Sequence, residues 1–248
     1  MPSAQTANST AGSDASLRPA STVVLLRETR AGLETLLLKR NKALMFAGGC
    51  WVFPGGALEP ADLAAAQGDE VRASRIAAAR EAWEESGLRP DPDDMVLVSH
   101  WTTPVAEPRR FSTWIYAAPV TGAQEVVIDG GEIHDHLWIG IDKAIAMHEA
   151  GELAMLPPTL VTLLSLGSYN SIAELVGEER HSFVPEVLPV FALHEGVVTV
   201  MFRGDAGYDT GDPALAGARH RATLDGQRWI YTCLNVDPAC PQLVRQAG

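Results

Sequence analysis

The sequence predicts a mixed α/β (α+β) fold followed by a C-terminal α/β extension. Short β-branched or leucine-rich runs recur between Pro, Gly and Asp residues, as buried strands do. Among them stands one alanine-rich stretch, Asp69 to Gly87, with no Pro or Gly before its last residue, which has the length and composition of a helix. Strand and helix patterns alternate along the chain, as expected of a sheet that carries helices.

In chain order, residues 1–18 are rich in Ser, Ala and Thr and have almost no large apolar side chain. Burial there is too small to offset the entropy of ordering, so a disordered tail is expected. Folded structure is expected from Ser21, where STVVLLRE and LETLLLKR flank the turn-like Thr29 to Gly32 and read as a hairpin. In CWVFPGGALEPAD, Pro54 and the Gly55-Gly56 pair argue against regular structure and allow backbone to approach a ligand closely. The helix follows, with Asp69 as N-cap and Gly87 as its stop. Strands are expected at MVLVSHW, FSTWIYAAPV, around EVVID and at HLWIGI. IDKAIAMHEAGEL reads as an amphipathic helix, and Pro157-Pro158 open another running through TLVTLLSLGSYNSIAELV. Beyond Pro185, LPVFAL, VVTVMF and RWIYTCL return to strands. The expected division is a tail at 1–18, a compact domain at 19–165 and an extension at 166–248 packed on it.

A chain of 248 residues with 46% hydrophobic and 20% charged residues has the composition of a globular protein. The formal net charge of −12 repels polyanions, which argues against nucleic acid or an anionic membrane as partner. A small phosphorylated substrate would need local cations, from arginines or a bound divalent metal. Cys50, Cys233 and Cys240 form no CxxC pair and no zinc-like cluster, so they read as ordinary thiols. The N-terminal residues lack the apolar core of a signal peptide, and no apolar run is long enough to span a bilayer. Cytoplasm is the expected location.

On the expected helix, Glu81, Glu84 and Glu85 stand at i, i+3 and i+4 and occupy an arc of roughly 100°. Ile76, Ala79 and Trp83 fall roughly 160 to 220° from Glu81 on the wheel, an apolar back expected to pack on the sheet. An idle charged face of this kind would cost only about 0.2 to 0.5 kcal/mol per like-charge pair, so spacing alone does not make a metal site.

The company of the glutamates adds to the reading. FPGG followed by a helix ending REAWEESGL resembles the Nudix box: Gly, five residues, Glu, seven residues, then Arg-Glu-(apolar)-x-Glu-Glu-x-Gly-(apolar). Gly56 occupies its start, and Arg80, Glu81, Ala82, Glu84, Glu85, Gly87 and Leu88 its second half. Asp62 stands at the first Glu, but seventeen residues separate it from Arg80, which leaves the register of the first half open. A similar insertion and downstream extension occur in the Nudix subgroup that includes the mammalian peroxisomal coenzyme A diphosphatase. NSIAELV, VLPVFAL and VVTVMFRGDAGY resemble that subgroup as well, whereas Met45 replaces an arginine of its coenzyme A signature.

The resemblance implies a mixed sheet sandwiched between helices and hydrolysis of a diphosphate bond with Mg²⁺ or Mn²⁺. The substrate would be a nucleoside diphosphate derivative, with coenzyme A or acyl-coenzyme A the first expectation and NADH or ADP-ribose alternatives. Glu81, Glu84, Glu85 and the Gly55 carbonyl would bind the metal, with Gly56 beside the substrate. Arg80, one turn before Glu84, would orient the carboxylates through bidentate hydrogen bonds. Glu132, six residues ahead of Trp138, is the expected ligand or general base, with Asp135 and Glu107 behind it and Glu81 also eligible as base. His134 and His136 flank Asp135 and read as polar loop residues. Arg40, Arg109 and Arg110 are candidate phosphate donors. Trp51, Trp101 and Trp114 are candidates for stacking on a base, against the commoner role of tryptophan in a core. Two readings of other classes stay open: a catalytically silent nucleotide-binding regulatory module, and a non-enzymatic domain whose acidic helix is only a solvated face. A homodimer is also compatible with the sequence.

Overall fold

The computed structural model describes residues 17–43, 47–105, 107–122 and 124–244. Most of the expected tail, through residue 16, and Met45 lie outside the described residues.

Strands β1 (Arg18–Thr29) and β2 (Gly32–Arg40) form the expected hairpin, with Thr29 opposite Gly32. β1 begins three residues ahead of Ser21, because its pairing with a distant strand starts there. That strand, β6 (Phe111–Pro119), runs parallel to β1 from Arg18↔Phe111 to Leu26↔Pro119. Two short strands, β3 (Trp51–Val52) and β4 (Gly55–Ala57), flank Pro54. The Gly55-Gly56 segment was expected to be irregular. Instead β4 pairs antiparallel with β1, Thr22↔Gly55 to Ala20↔Ala57.

Between β4 and the main helix stands a short helix, α1 (Pro60–Ala65), which the sequence reading missed. The main helix, α2 (Glu70–Ser86), has the expected ends. The Asp69 side chain accepts from the Arg72 N–H, and Gly87 stops the helix in the left-handed region at φ 72°, which favours glycine. β5 (Val96–Thr102) pairs antiparallel with β6, and β7 (Ile133–Gly140) pairs antiparallel with β2. No strand forms around EVVID: residues 124–129 adopt no regular element and lead into the turn before β7. α3 (Ile141–Glu149) is the expected amphipathic helix. The single helix expected after Pro157-Pro158 is two, α4 (Pro157–Leu166) and α5 (Ile172–Glu179). They part because Ser171 caps the second, its hydroxyl accepting from the Glu174 N–H.

The central sheet is covered on both faces, which explains why its strands read as continuous apolar runs rather than as alternating ones. Val23, Leu25, Leu36, Leu38, Tyr116 and Ala118 share a cluster with Ala78, Ala82 and Leu88 of the α2 side. Val24, Leu26, Leu37, Ile115 and Ala117 share the other cluster with Ala144 of α3, Leu160 and Leu163 of α4, and Leu175 of α5. The sheet is thus sandwiched between helices, as expected. β8 (Glu186–Val187) adds to β5 in parallel. A second, antiparallel sheet follows in the order β12-β11-β10-β9, with β9 (Val190–His194), β10 (Val197–Met201), β11 (Arg219–Asp225) and β12 (Arg228–Leu234). Its Val200, Phe202 and Ala222 join the α3/α4 cluster, so residues on both sides of position 165 share one core. Among the described residues, no helix is long and apolar enough to cross a membrane.

The face that α2 buries differs from the expected one. Ala73, Ala77, Ala78 and Ala82 are buried, together with Ser74, Glu85 and Ser86, while Trp83 is 46% exposed and Ile76 and Ala79 are intermediate. The helix packs close to the sheet through alanines, and a tryptophan on that face would hold it away. Trp83 instead lies under the Arg89 guanidinium, 3.7 Å from its ring centre.

Candidate active site

The C-terminal half of α2 runs past β4, so the acidic residues of the helix meet the diglycine backbone. The Gly55 N–H donates to Glu85 Oε2 at 3.0 Å, and Glu85 is 6% exposed. A Cβ on Gly56 would overlap the Glu81 carboxylate, and one on Gly55 would run into Ser21 and Thr22 of β1. Gly55 is therefore required by close approach to the β1 backbone, whereas at Gly56 only the end of the Glu81 side chain would have to move.

Arg80 ties the helix to the insertion. Its guanidinium donates to Asp62 Oδ1 at 3.3 Å and Oδ2 at 3.1 Å, to the Ala57 carbonyl at 3.0 Å, to Glu81 Oε1 at 2.9 Å and to Glu84 Oε2 at 3.0 Å. Asp62, 3% exposed, also accepts from the Glu59 N–H at 2.9 Å in the capping box of α1. The seventeen-residue separation between Asp62 and Arg80 thus closes in space, because α1 folds back on α2. Burial alone would lower the Arg80 guanidinium pKa, but Asp62 and Glu81 outweigh it and hold the group firmly charged.

The predicted metal-binding carboxylates are brought to one end of the helix and one strand, but they do not enclose a common point. Glu81 and Glu84 turn to Arg80, and Glu85 turns to Gly55. Among the described residues, no group of three Asp, Glu, His or Cys side chains is arranged as a closed metal site. The electrostatics nonetheless suit a cation. Burial pushes the Glu85 carboxyl up to about 8, with Glu81 and Glu132 adding to the rise and the Gly55 N–H and Arg40 opposing it. Burial also raises Glu81 against the pull of Arg80, and the Glu84 and Glu132 charges raise it further. A divalent cation would compensate these crowded oxygens, and hard oxygen donors match Mg²⁺ or Mn²⁺. Glu84, with 52% of its side chain exposed, is free to turn from Arg80 towards an ion.

Arg40 and Glu132, ninety-two residues apart, form an ion pair at 3.2 Å. A β-bulge between Lys39 and Arg40 sets the end of β2 against the start of β7. Both charges reach Glu85, so this pair belongs to the same acidic corner. The Arg40 Nε is buried without a hydrogen-bond partner. Asp135, His134 and His136 are exposed on β7, and Asp135 accepts from the His136 N–H. Glu107, Arg109 and Arg110 lie in the loop between β5 and β6, where Arg110 donates to the Thr103 carbonyl at 3.3 Å. Among the described residues, no hydrogen bond or ion pair joins Arg109 or Arg110 to Glu81, Glu84, Glu85 or Glu132. Trp101 is buried edge-on to Phe202, Trp114 stacks on His100 at 4.8 Å, and Lys39 sits 5.3 Å from the Trp51 ring.

Sequence reasoning missed Asp129, whose carboxylate accepts from the N–H groups of Gly131, Glu132 and Ile133. The signal for it was present, since Asp before a glycine pair favours a side-chain-closed turn.

Residues 16–158 match the sequence profile of the NUDIX domain. A NUDIX hydrolase from Alicyclobacillus acidocaldarius superposes with a TM-score of 0.60 at 22% identity, over 65% of this chain and 96% of that one. The NUDIX domain of Shewanella oneidensis NrtR complexed with ADP ribose gives 0.46 at 15% identity, over 67% and 90%. A Caenorhabditis elegans Ap4A hydrolase gives 0.41 at 19%, over 59% and 93%. No curated protein matched significantly. The first of these structures shares the fold described above, and the profile spans more than half of the chain. The chain therefore belongs to the Nudix family.

Proposed function

We propose that this protein is a diphosphatase that splits a diphosphate bond in a nucleoside diphosphate derivative with the help of Mg²⁺ or Mn²⁺. The observation that supports it most is the junction of α2 with β4. There Glu85 is buried on the Gly55 N–H, and Arg80, locked to Asp62, gathers Glu81 and Glu84 beside it.

In this reading, Glu81, Glu84, Glu85 and the Gly55 carbonyl hold the metal. When bound, a divalent cation offsets phosphate charge and makes water a better nucleophile near neutral pH. Arg80 keeps the carboxylates oriented. Water adds to one phosphorus, the bond from that phosphorus to the bridging oxygen breaks, and two phosphorylated products leave. Glu132 or Glu81 takes the proton from water. Arg40, paired with Glu132 at the end of β2, supplies a donor to the diphosphate, and Gly56 leaves room for it. Coenzyme A or an acyl derivative is the first substrate to test, from the resemblance of the insertion and extension to the coenzyme A diphosphatase subgroup. ADP-ribose and NADH come next.

Product analysis across coenzyme A, NADH, ADP-ribose and diadenosine polyphosphates tests the proposal. Metal-dependent release of two phosphorylated products supports it. Tight nucleotide binding without turnover on any of them would instead favour a silent regulatory module.

A further inference from the structure

The turn that delivers Glu132 is built with more order than an exposed connection needs. Between residues 129 and 133, the Asp129 carboxylate accepts three consecutive N–H groups: Gly131 at 3.2 Å, Glu132 at 2.9 Å and Ile133 at 2.9 Å. Gly130 takes φ 71°, and a Cβ on Gly131 would lie 3.1 Å from Asp129 Oδ2. The diglycine therefore makes room for the carboxylate to fold over its own chain. From the other side, Asn41 clamps the carbonyls. Its N–H donates to the Glu132 oxygen at 2.8 Å and its amide to the Gly131 oxygen at 3.4 Å. Ile133 is fully buried beneath, which fixes where the turn ends. With the backbone held on both sides, the Glu132 side chain meets Arg40 and its charge reaches Glu81 and Glu85.

We propose that Asp129 is a positioning residue that, through three backbone hydrogen bonds, holds Glu132 against Arg40 and towards the acidic corner of α2. The inference rests on the reading of Glu132 as metal ligand or general base. The Asp129 carboxylate is taken up by backbone N–H groups, so its role is exerted through Glu132. It sets the turn, and without it the N–H groups of Gly131, Glu132 and Ile133 lose the acceptor that fixes the backbone beneath Glu132.

Two measurements on the full chain test it. The first needs no turnover: hydrogen exchange at the amides of Gly131, Glu132 and Ile133 in metal-free protein. Exchange at these three sites should be at least about ten-fold faster in Asp129→Ala than in wild type, with Asp129→Asn recovering part of the protection. Equal exchange in wild type and Asp129→Ala overturns the proposal. The second is a double-mutant cycle on the best diphosphate substrate. Asp129→Ala should lower kcat by about 10- to 100-fold with KM little changed, as supporting-shell changes do. It should cost nothing further in a Glu132→Gln background. An equal loss in both backgrounds marks a general structural role and overturns the proposal. Full activity of Glu132→Gln sinks the reading of Glu132 itself, an outcome separate from the exchange result.

Discussion

Removing Asp62 should destabilise the protein strongly, because its buried carboxylate joins α1 to α2. Asp62→Ala deletes a two-point, charge-assisted contact with Arg80, made by a carboxylate that is 3% exposed. Hydrogen bonds to charged groups contribute about 1.5–3 kcal/mol. The same side chain accepts the Glu59 N–H at the start of α1, a capping interaction typically worth about 1 kcal/mol. Arg80 keeps Glu81, Glu84 and the Ala57 carbonyl, so no orphaned charge adds to the loss. The total is about 3 kcal/mol. For a chain of this size each kcal/mol moves Tm by about 2–4 °C, so a drop of about 6–12 °C is expected. Arg80→Ala should cost more, about 3–5 kcal/mol, because it leaves Asp62 charged and buried. In the double variant the two losses should fall short of additive by about 1–3 kcal/mol. Thermal unfolding followed by circular dichroism measures all three. A drop below about 2 °C for Asp62→Ala, or strict additivity, would refute the coupling of α1 to α2.

Three further outcomes are expected. Gly56→Ala should leave Tm within about 2 °C, because only the end of the flexible Glu81 side chain must move. Displacing that carboxylate should nevertheless cut metal-dependent turnover by about 100-fold, measured as kcat. Asp205 is pushed up by burial, but hydrogen bonds from Arg221 and from the Gly207 and His220 N–H groups outweigh this and hold it below its ordinary value. Its contribution to stability is therefore present above the unfolded value of about 3.9 and fades as pH falls towards its own lower one. Asp205→Asn should melt lower than wild type at pH 7, with the gap narrowing below about pH 4 in a series of thermal melts. Trp83→Ala should cost only about 0.5–1 kcal/mol, the worth of an exposed cation–π contact with Arg89, and leave kcat unchanged. A large stability loss there would restore Trp83 to the packing face.

The helix with its caps, the β1–β2 hairpin and the i, i+3, i+4 spacing of the glutamates were legible because each rests on local chemistry, whereas the place of those glutamates beside the diglycine was expected only from the resemblance to the Nudix box. An Asp N-cap, a left-handed Gly stop and i, i+4 spacing need no knowledge of the rest of the chain. What escaped depends on partners distant in sequence. β4 exists because β1 offers an edge to Gly55 through Ala57, and β8 exists because β5 does. The buried face of α2 was misplaced because large apolar residues were taken to point inward, whereas the sheet leaves room only for Ala73, Ala77, Ala78 and Ala82. The contact between Asp62 and Arg80 required α1, whose six residues carry little helical signal alone. The Arg40–Glu132 pair required β2 and β7 to be neighbours, and no periodicity in the chain states that.

Calorimetric titration of Mn²⁺ into the wild-type protein, Glu84→Gln and Glu85→Gln, with turnover of the best diphosphate substrate measured on the same samples, tests the central claim most directly. Saturable binding that weakens at least about ten-fold in both variants, with loss of turnover in step, is the predicted result. Equal Mn²⁺ binding by all three proteins, or turnover that survives in both variants, would contradict it.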